Sequence, residues 1–306
     1  MSGTLESARA PAVAGTLRLW LVAARPRTLP AAVASVVVGT ALAASEGVFR
    51  PLVLVAALVG SVFIQIGTNL SNDYSDARRG ADTEDRLGPV RVTSGGLLPP
   101  RRVLVGTYVA FGVAVAAGAY LVAVAGWELL VVGALSILAG VLYTGGPRPY
   151  GYEGLGELFV FLFFGVVAVV GSYFAQTERL SGDAFALSVP VGLLAAGILI
   201  VNNVRDIDTD RRAGKRTLAV KLGRERAARL YAAAVAVAFV GPVALWVAGS
   251  FSAWILLPLA AAPLAAPVVR TVLTRRDGPS LNSALGRTGG LLAIVSGLLT
   301  AGMLAS

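Results

Sequence analysis

Nine apolar runs, most of them near twenty residues long, limit what this chain can fold into more than any other feature. They lie at about 29–44, 51–70, 103–125, 129–143, 158–176, 185–204, 227–247, 251–273 and 283–304. A helix of about twenty residues spans a hydrocarbon core about 30 Å thick and satisfies its own backbone hydrogen bonds, which lipid cannot do. Only 14% of the residues are charged and the mean hydropathy is +0.75, against about 25% charged in soluble domains. The predicted fold class is therefore all-α integral membrane, with about nine transmembrane helices in one bundle. Residues 29–306 read as a single transmembrane domain, and 1–28 as an N-terminal tail and interfacial helix. Leu17, Leu19, Trp20, Leu21 and Val22, with Arg18 among them, predict a short helix over 12–24 lying at the membrane surface. Pro258, Pro263 and Pro267 predict a kink in the 251–273 run.

The net charge of +9 would suit nucleic acid or an anionic surface, but its placement has a simpler cause. With the N-terminus inside, 24 of the 26 Lys and Arg residues fall on inside segments, and only Arg50 and Arg179 fall outside. That asymmetry orients a multi-pass protein of the cell (inner or plasma) membrane, with its N-terminus and long loops cytoplasmic, and accounts for the charge without nucleic acid. The long loops, at roughly 72–102, 144–157, 205–226 and 274–282, put function on that face.

Two of those loops begin with the same build. Asn202-Asn203-Val204-Arg205-Asp206-Ile207-Asp208-Thr209-Asp210 follows one apolar run, and Asn69-Leu70-Ser71-Asn72-Asp73-Tyr74-Ser75-Asp76, then Asp82, follows another. Asn202, Asp206 and Asp210 are each four apart and share a helical face, with Asp208 pointing away; Asn72 and Asp76 repeat the spacing. An ionised Asp at bilayer depth costs ~2.5–3.5 kcal/mol, so its retention there suggests a use. The chain has no Cys and no His, which leaves oxygen ligands and hard cations such as magnesium. Two carboxylate faces meeting at a membrane surface would bind divalent cations, and these a diphosphate. Helix C-termini carry partial negative charge, so the diphosphate should be held through metal. Arg78, Arg91, Arg205 and Lys215 are candidate direct diphosphate contacts. Tyr143, Tyr150 and Tyr152 offer aromatic walls, and Gly95-Gly96 with Pro99-Pro100 predict an irregular loop or lid over 88–100. The Gly-rich stretch 151–157 follows a membrane helix and has the wrong spacing for a nucleotide loop.

These residues carry a resemblance. Asn72-Asp73-Tyr74-Ser75-Asp76 with Gly80 and Asp82, together with Asp206-Ile207-Asp208-Thr209-Asp210, resemble the two aspartate-rich motifs of the UbiA-type intramembrane aromatic prenyltransferases, over nearly the whole chain. Three details look like the branch of that family acting on 1,4-dihydroxy-2-naphthoate in menaquinone synthesis. They are Ala24-Arg25-Pro26-Arg27-Thr28-Leu29-Pro30; Tyr143-Thr144-Gly145-Gly146-Pro147 running into Gly154-Leu155-Gly156-Glu157; and Asn202-Asn203 with the second aspartate motif through Thr217-Leu218-Ala219-Val220. Asp82 stands six residues after Asp76, a spacing that departs from many ubiquinone-type members and fits the naphthoate branch. The resemblance implies Mg2+-dependent transfer of a polyprenyl group from polyprenyl diphosphate, inside the lipid bilayer, to 1,4-dihydroxy-2-naphthoate with loss of carbon dioxide. It implies metal ligation by Asn72, Asp76, Asp206 and Asp210, assisted by Asp73 or Asp82, and catalytic roles for Asp76, Asp82, Asp206 and Asp210. Arg25, Arg27 and Arg148 are candidates to orient the acceptor carboxylate. Other acceptors stay open at this point, among them 4-hydroxybenzoate, homogentisate and a chlorin. An ion-coupled transporter is the alternative from another class, and the clustering of acids at one face, away from the midplane, speaks against it.

Overall fold

The structure, a computed structural model, describes residues 10–81, 87–88 and 90–306. Asp82 lies outside the described residues. Among them the regular elements are all helical: α1 Ala10–Ala24, α2 Leu29–Ser45, α3 Pro51–Arg79, α4 Pro100–Ala125, α5 Glu128–Leu142, α6 Gly156–Val160, α7 Ala168–Thr177, α8 Gly182–Arg205, α9 Ile207–Arg212, α10 Leu218–Leu222, α11 Arg224–Val247, α12 Ala262–Thr274 and α13 Gly278–Leu304. Among the described residues eight helical stretches are long and apolar enough to cross a membrane; the ninth expected span, α5, is apolar but has only 15 residues. The chain is a multi-pass membrane protein.

Local chemistry sets the boundaries. Proline opens α3 and α4, where its missing N–H has no helical partner to lose. Gly80 closes α3 at φ 62°, the left-handed geometry in which a helix end turns away. The proline-rich run is not one regular helix: Ala253–Ala261 is a 3-10 helix that changes to α-helix at Ala262. The sequence pattern does not foresee the π-helical turn at Phe161–Val167, between α6 and α7. There a Cβ added to Gly165 would stand 2.7 Å from Gly192 Cα, so the two glycines let this segment lie directly on α8.

The bundle is built around α8. Some 72% of its apolar window is buried, against 22% for α3 and for α4, whose outward faces carry Val55, Val105, Val109 and Val115. A helix that is apolar on all sides needs protein or lipid on all sides. α8 finds protein, packing on α2, α11, α13 and the π turn. α1 lies against α3: Trp20 and Ala23 pack with Leu70 and Val103, and Leu17, Leu21 and Val22 are exposed. Asn69 fixes the chain where it leaves α1, donating to the Ala24 carbonyl at 2.9 Å and to Thr28 Oγ1 at 3.2 Å. The ends of α3, α5 and α8 come together with Arg91 at one end of the bundle, and the polar chemistry is there.

Candidate active site

A cavity of about 500 Å³ opens between these ends. Its polar end is lined by Asn72, Asp76, Arg91, Asn202, Asp206, Asp210 and Lys215; its apolar part is bordered by α3, α4, α5 and α7, among them Gly60, Ala114, Leu129 and Gly171. Both Asn/Asp stretches therefore face one space.

Asp76 is fully buried and surrounded by donors from three other parts of the chain. Arg91 donates to its Oδ2 at 3.1 Å, Tyr152 donates its hydroxyl to Oδ1 at 2.5 Å, and Lys215 Nζ lies 3.6 Å from Oδ2. Lys215 also sits over the Tyr152 ring, 4.8 Å from its centre, a cation–π contact that holds the ammonium at the cavity wall. Asn72 accepts at 2.9 Å from Thr144, which orients its amide.

The second stretch is built differently. The helix breaks at Asp206, which ends α8 and begins α9 with φ −95° and ψ 9°. The i to i−4 bonds bridge the break, from Asp206 N to the Asn202 carbonyl at 3.1 Å and from Asp210 N to the Asp206 carbonyl at 2.8 Å. The helical phase survives: Asn202, Asp206 and Asp210 border the cavity, while Asp208 has a side chain 75% exposed and pairs with Arg211. Arg205 grips Asp206 through Nε at 2.7 Å and through its terminal nitrogen, and donates to Asn202 Oδ1 at 2.8 Å.

Several predicted residues stand elsewhere than expected. Asp73 accepts the backbone N–H of Val92 at 3.1 Å and of Thr93 at 3.0 Å, so its oxygens cap the loop before α4. Arg205 is buried against Asp206, and its guanidinium is committed there. Arg78 is exposed and donates to Tyr74; Arg148 is exposed beyond the cavity wall, as is Arg27. Positive charge near a membrane surface is drawn to water unless a buried carboxylate holds it. Arg25 does border the cavity. Its backbone is left-handed, φ 53° and ψ 68°, a conformation uncommon for a residue with a side chain and found more often where function holds the chain.

Aromatic rings form one wall. Tyr143 meets Tyr150 edge-on at 5.5 Å, Tyr150 stacks on Phe159 at 4.0 Å, and the Tyr150 hydroxyl donates to the Ala139 carbonyl at 2.8 Å. Burial pushes the Tyr150 phenol above its usual range. Contacts with no counterpart in the motif pattern are Tyr152 on Asp76, Thr144 on Asn72, and the buried bond from Asn203 to Glu157 at 2.9 Å. Only the Tyr-rich composition of 143–152 hinted at the first.

The donors facing the cavity are carboxylate and amide oxygens, a set that fits a hard divalent cation. Among the described residues no three acids stand close enough to hold a metal unaided, as suits a small cation whose shell is completed by water and phosphate oxygens.

The profile of the UbiA prenyltransferase family matches residues 32–300. The 1,4-dihydroxy-2-naphthoate octaprenyltransferase of Mycobacterium tuberculosis is 44% identical over 288 residues, covering 94% of this chain and 96% of that one. The protein of the same name from Escherichia coli is 40% identical over 275 residues, 88% and 89% of the two chains. The fold is similar to that of a UbiA homolog from Archaeoglobus fulgidus bound to GPP and Mg2+, with TM-score 0.66 and 17% identity over 94% of this chain and 100% of that one. By profile, relatives and fold together, the chain belongs to the UbiA prenyltransferase family.

Proposed function

We propose that this protein transfers a polyprenyl group from polyprenyl diphosphate to 1,4-dihydroxy-2-naphthoate, releasing diphosphate and carbon dioxide and giving demethylmenaquinol. The observation that carries this reading is one cavity bordered by both Asn/Asp stretches and continued by an apolar corridor, in a chain 44% identical to a naphthoate octaprenyltransferase. Asn72, Asp76, Asp206 and Asp210 would hold the divalent cation, Mg2+, which would offset the charge that grows on the departing diphosphate. Asp73 serves instead to cap the loop, and Asp82 joins the catalytic set by resemblance.

The side chains divide the remaining work. Lys215 and Arg91, at the Asp76 end of the cavity, contact the diphosphate and stabilise charge developing on its oxygens. Breaking the allylic C–O bond leaves positive charge on the prenyl carbon, and the faces of Tyr143, Tyr150 and Phe159 stabilise it while excluding water. The tail follows the apolar corridor bordered by α3, α4, α5 and α7. Arg25, on the cavity wall, pairs with the acceptor carboxylate and presents the ring carbon that bears it, so that carbon dioxide leaves as the ring regains aromaticity. Arg78 and Arg148 act as surface charges, and Arg205 acts through Asp206. With 24 of 26 cations on one set of loops, the site faces the cytoplasm from the cell membrane, and α1 lies at the interface beside a single transmembrane domain.

The test is an assay of the purified protein in detergent with a polyprenyl diphosphate and 1,4-dihydroxy-2-naphthoate, with Mg2+ or with chelator. Mg2+-dependent product lacking the carboxylate is expected. Product only with 4-hydroxybenzoate or homogentisate would move the acceptor and keep the mechanism. No prenylation of any acceptor by folded protein would refute the reading and return attention to ion-coupled transport.

A further inference from the structure

One side chain joins the second aspartate stretch to the loop that serves the first. Asn282, near the start of α13, accepts from the Arg205 guanidinium at 2.6 Å through Oδ1. Through Nδ2 it donates to the Leu87 carbonyl at 2.9 Å. On one side of this bridge Arg205 holds Asp206 and Asn202. On the other, Leu87 stands five residues before Val92 in the sequence, and Asp73 caps the amides of Val92 and Thr93. Between these two fastenings lies Arg91, which donates to Asp76. Among the described residues 87–88 and 90–99 there is no helix, and besides turn bonds such as Leu97 N to the Val92 carbonyl, side chains from α3 and α13 fasten them.

We propose that Asn282 is a positioning residue: it ties the Arg205–Asp206 pair to the 87–98 segment so that Arg91 stays aimed at Asp76 and at the diphosphate. The inference rests on the reading of that end of the cavity as the diphosphate site. A primary amide suits the place because it accepts and donates at once; a carboxylate in its stead keeps the acceptor for Arg205 and loses the donor for Leu87, and alanine loses both. α13 does not depend on this bond. Its N-terminus is capped by Asp277, which accepts from Ser280 N at 2.8 Å, and Leu281 and Leu285 anchor it in the core.

The experiment compares the full-length wild type with Asn282→Ala, Asn282→Asp, Arg91→Ala and the double variant Asn282→Ala/Arg91→Ala, all in detergent. Two quantities are read: hydrogen exchange of the amides in 90–98, and the affinity for inorganic pyrophosphate with Mg2+. Both Asn282 variants should speed exchange in the loop and weaken pyrophosphate binding about tenfold, the scale of one lost hydrogen bond that positions a charged group. In the Arg91→Ala background the Asn282→Ala change should add little, because two residues acting through one contact are not additive. A residue that only stabilises the fold would lower affinity equally in both backgrounds. Unchanged loop exchange in both Asn282 variants, or full additivity with Arg91→Ala, overturns the proposal. Should the alanine variant melt early, the aspartate variant carries the test. Absence of pyrophosphate binding by the wild type would instead count against the diphosphate reading, and the exchange data would still decide whether Asn282 fastens the loop.

Discussion

The two Asn/Asp stretches have similar sequences and different supports. Asp76 sits on an uninterrupted helix and takes its donors from afar in the chain, Arg91 being 15 residues away and Tyr152 76 residues away. Asp206 sits at a helix break and is held by its own neighbour, Arg205. The first carboxylate is matched only once the bundle has assembled; the second carries its partner with it. A buried carboxylate without a matching cation is costly. A motif at the end of a half-lipid-facing helix must find that cation in other segments, while the motif closing the buried central helix supplies its own.

The comparison can be broken most directly at the carboxylates. Asp76→Asn, Asp206→Asn and Asp210→Asn should each slow turnover by about a thousandfold or more, ~4 kcal/mol in the barrier, while Asp208→Asn stays within about threefold because its side chain faces water. Equal losses at all four positions, in single-turnover rates, would sink the shared-cavity arrangement. Next in size, Arg205→Ala should cost about 3 kcal/mol of stability, since it strands a buried Asp206. Denaturation in mixed detergent would check it, and a variant as stable as wild type would mean Asp206 does not need its neighbour. Arg91→Ala should leave stability nearly unchanged and raise KM for the prenyl diphosphate about tenfold, because Asp76 keeps Tyr152 and Lys215. A fall in kcat with unchanged KM would contradict that division. Tyr152→Phe removes one hydrogen bond from Asp76 and should cost about tenfold or less in kcat/KM. The smallest effect belongs to Asp73→Asn: about 1 kcal/mol of stability from a weakened loop cap, with Mg2+ dependence unaltered. A shifted Mg2+ titration would restore Asp73 to the metal.

Much of this site can be read along the chain. The four-residue spacing of Asn202, Asp206 and Asp210 anticipates their common exposure to the cavity and the outward turn of Asp208, because helical phase is a local property that even the break at Asp206 leaves intact. Tyr143, Tyr150 and Tyr152 were expected as walls and line the cavity. Asp73 was expected beside the metal, and nothing local could reveal that its oxygens meet the amides of Val92 and Thr93. Arg25, Arg27 and Arg148 were equal candidates; only the path of the chain after α1 turns Arg25 alone toward the cavity. Phe161–Val167 reads as ordinary apolar helix, and only the structure shows its π turn, where Gly165 meets Gly192.

By itself the sequence determined that this is a bundle of membrane-crossing helices carrying two oxygen-rich stretches at helix ends. Run length, helical phase and the backbone's own hydrogen bonds act over a few residues, and lipid leaves no other way to satisfy them. Only the tertiary structure decided which cations meet Asp76 and which side-chain amide reaches the Leu87 carbonyl. Those bonds join residues from 15 apart, as in Arg91 to Asp76, to 195 apart, as in Asn282 to Leu87. Their geometry comes from helices packing around α8, and no local pattern encodes it.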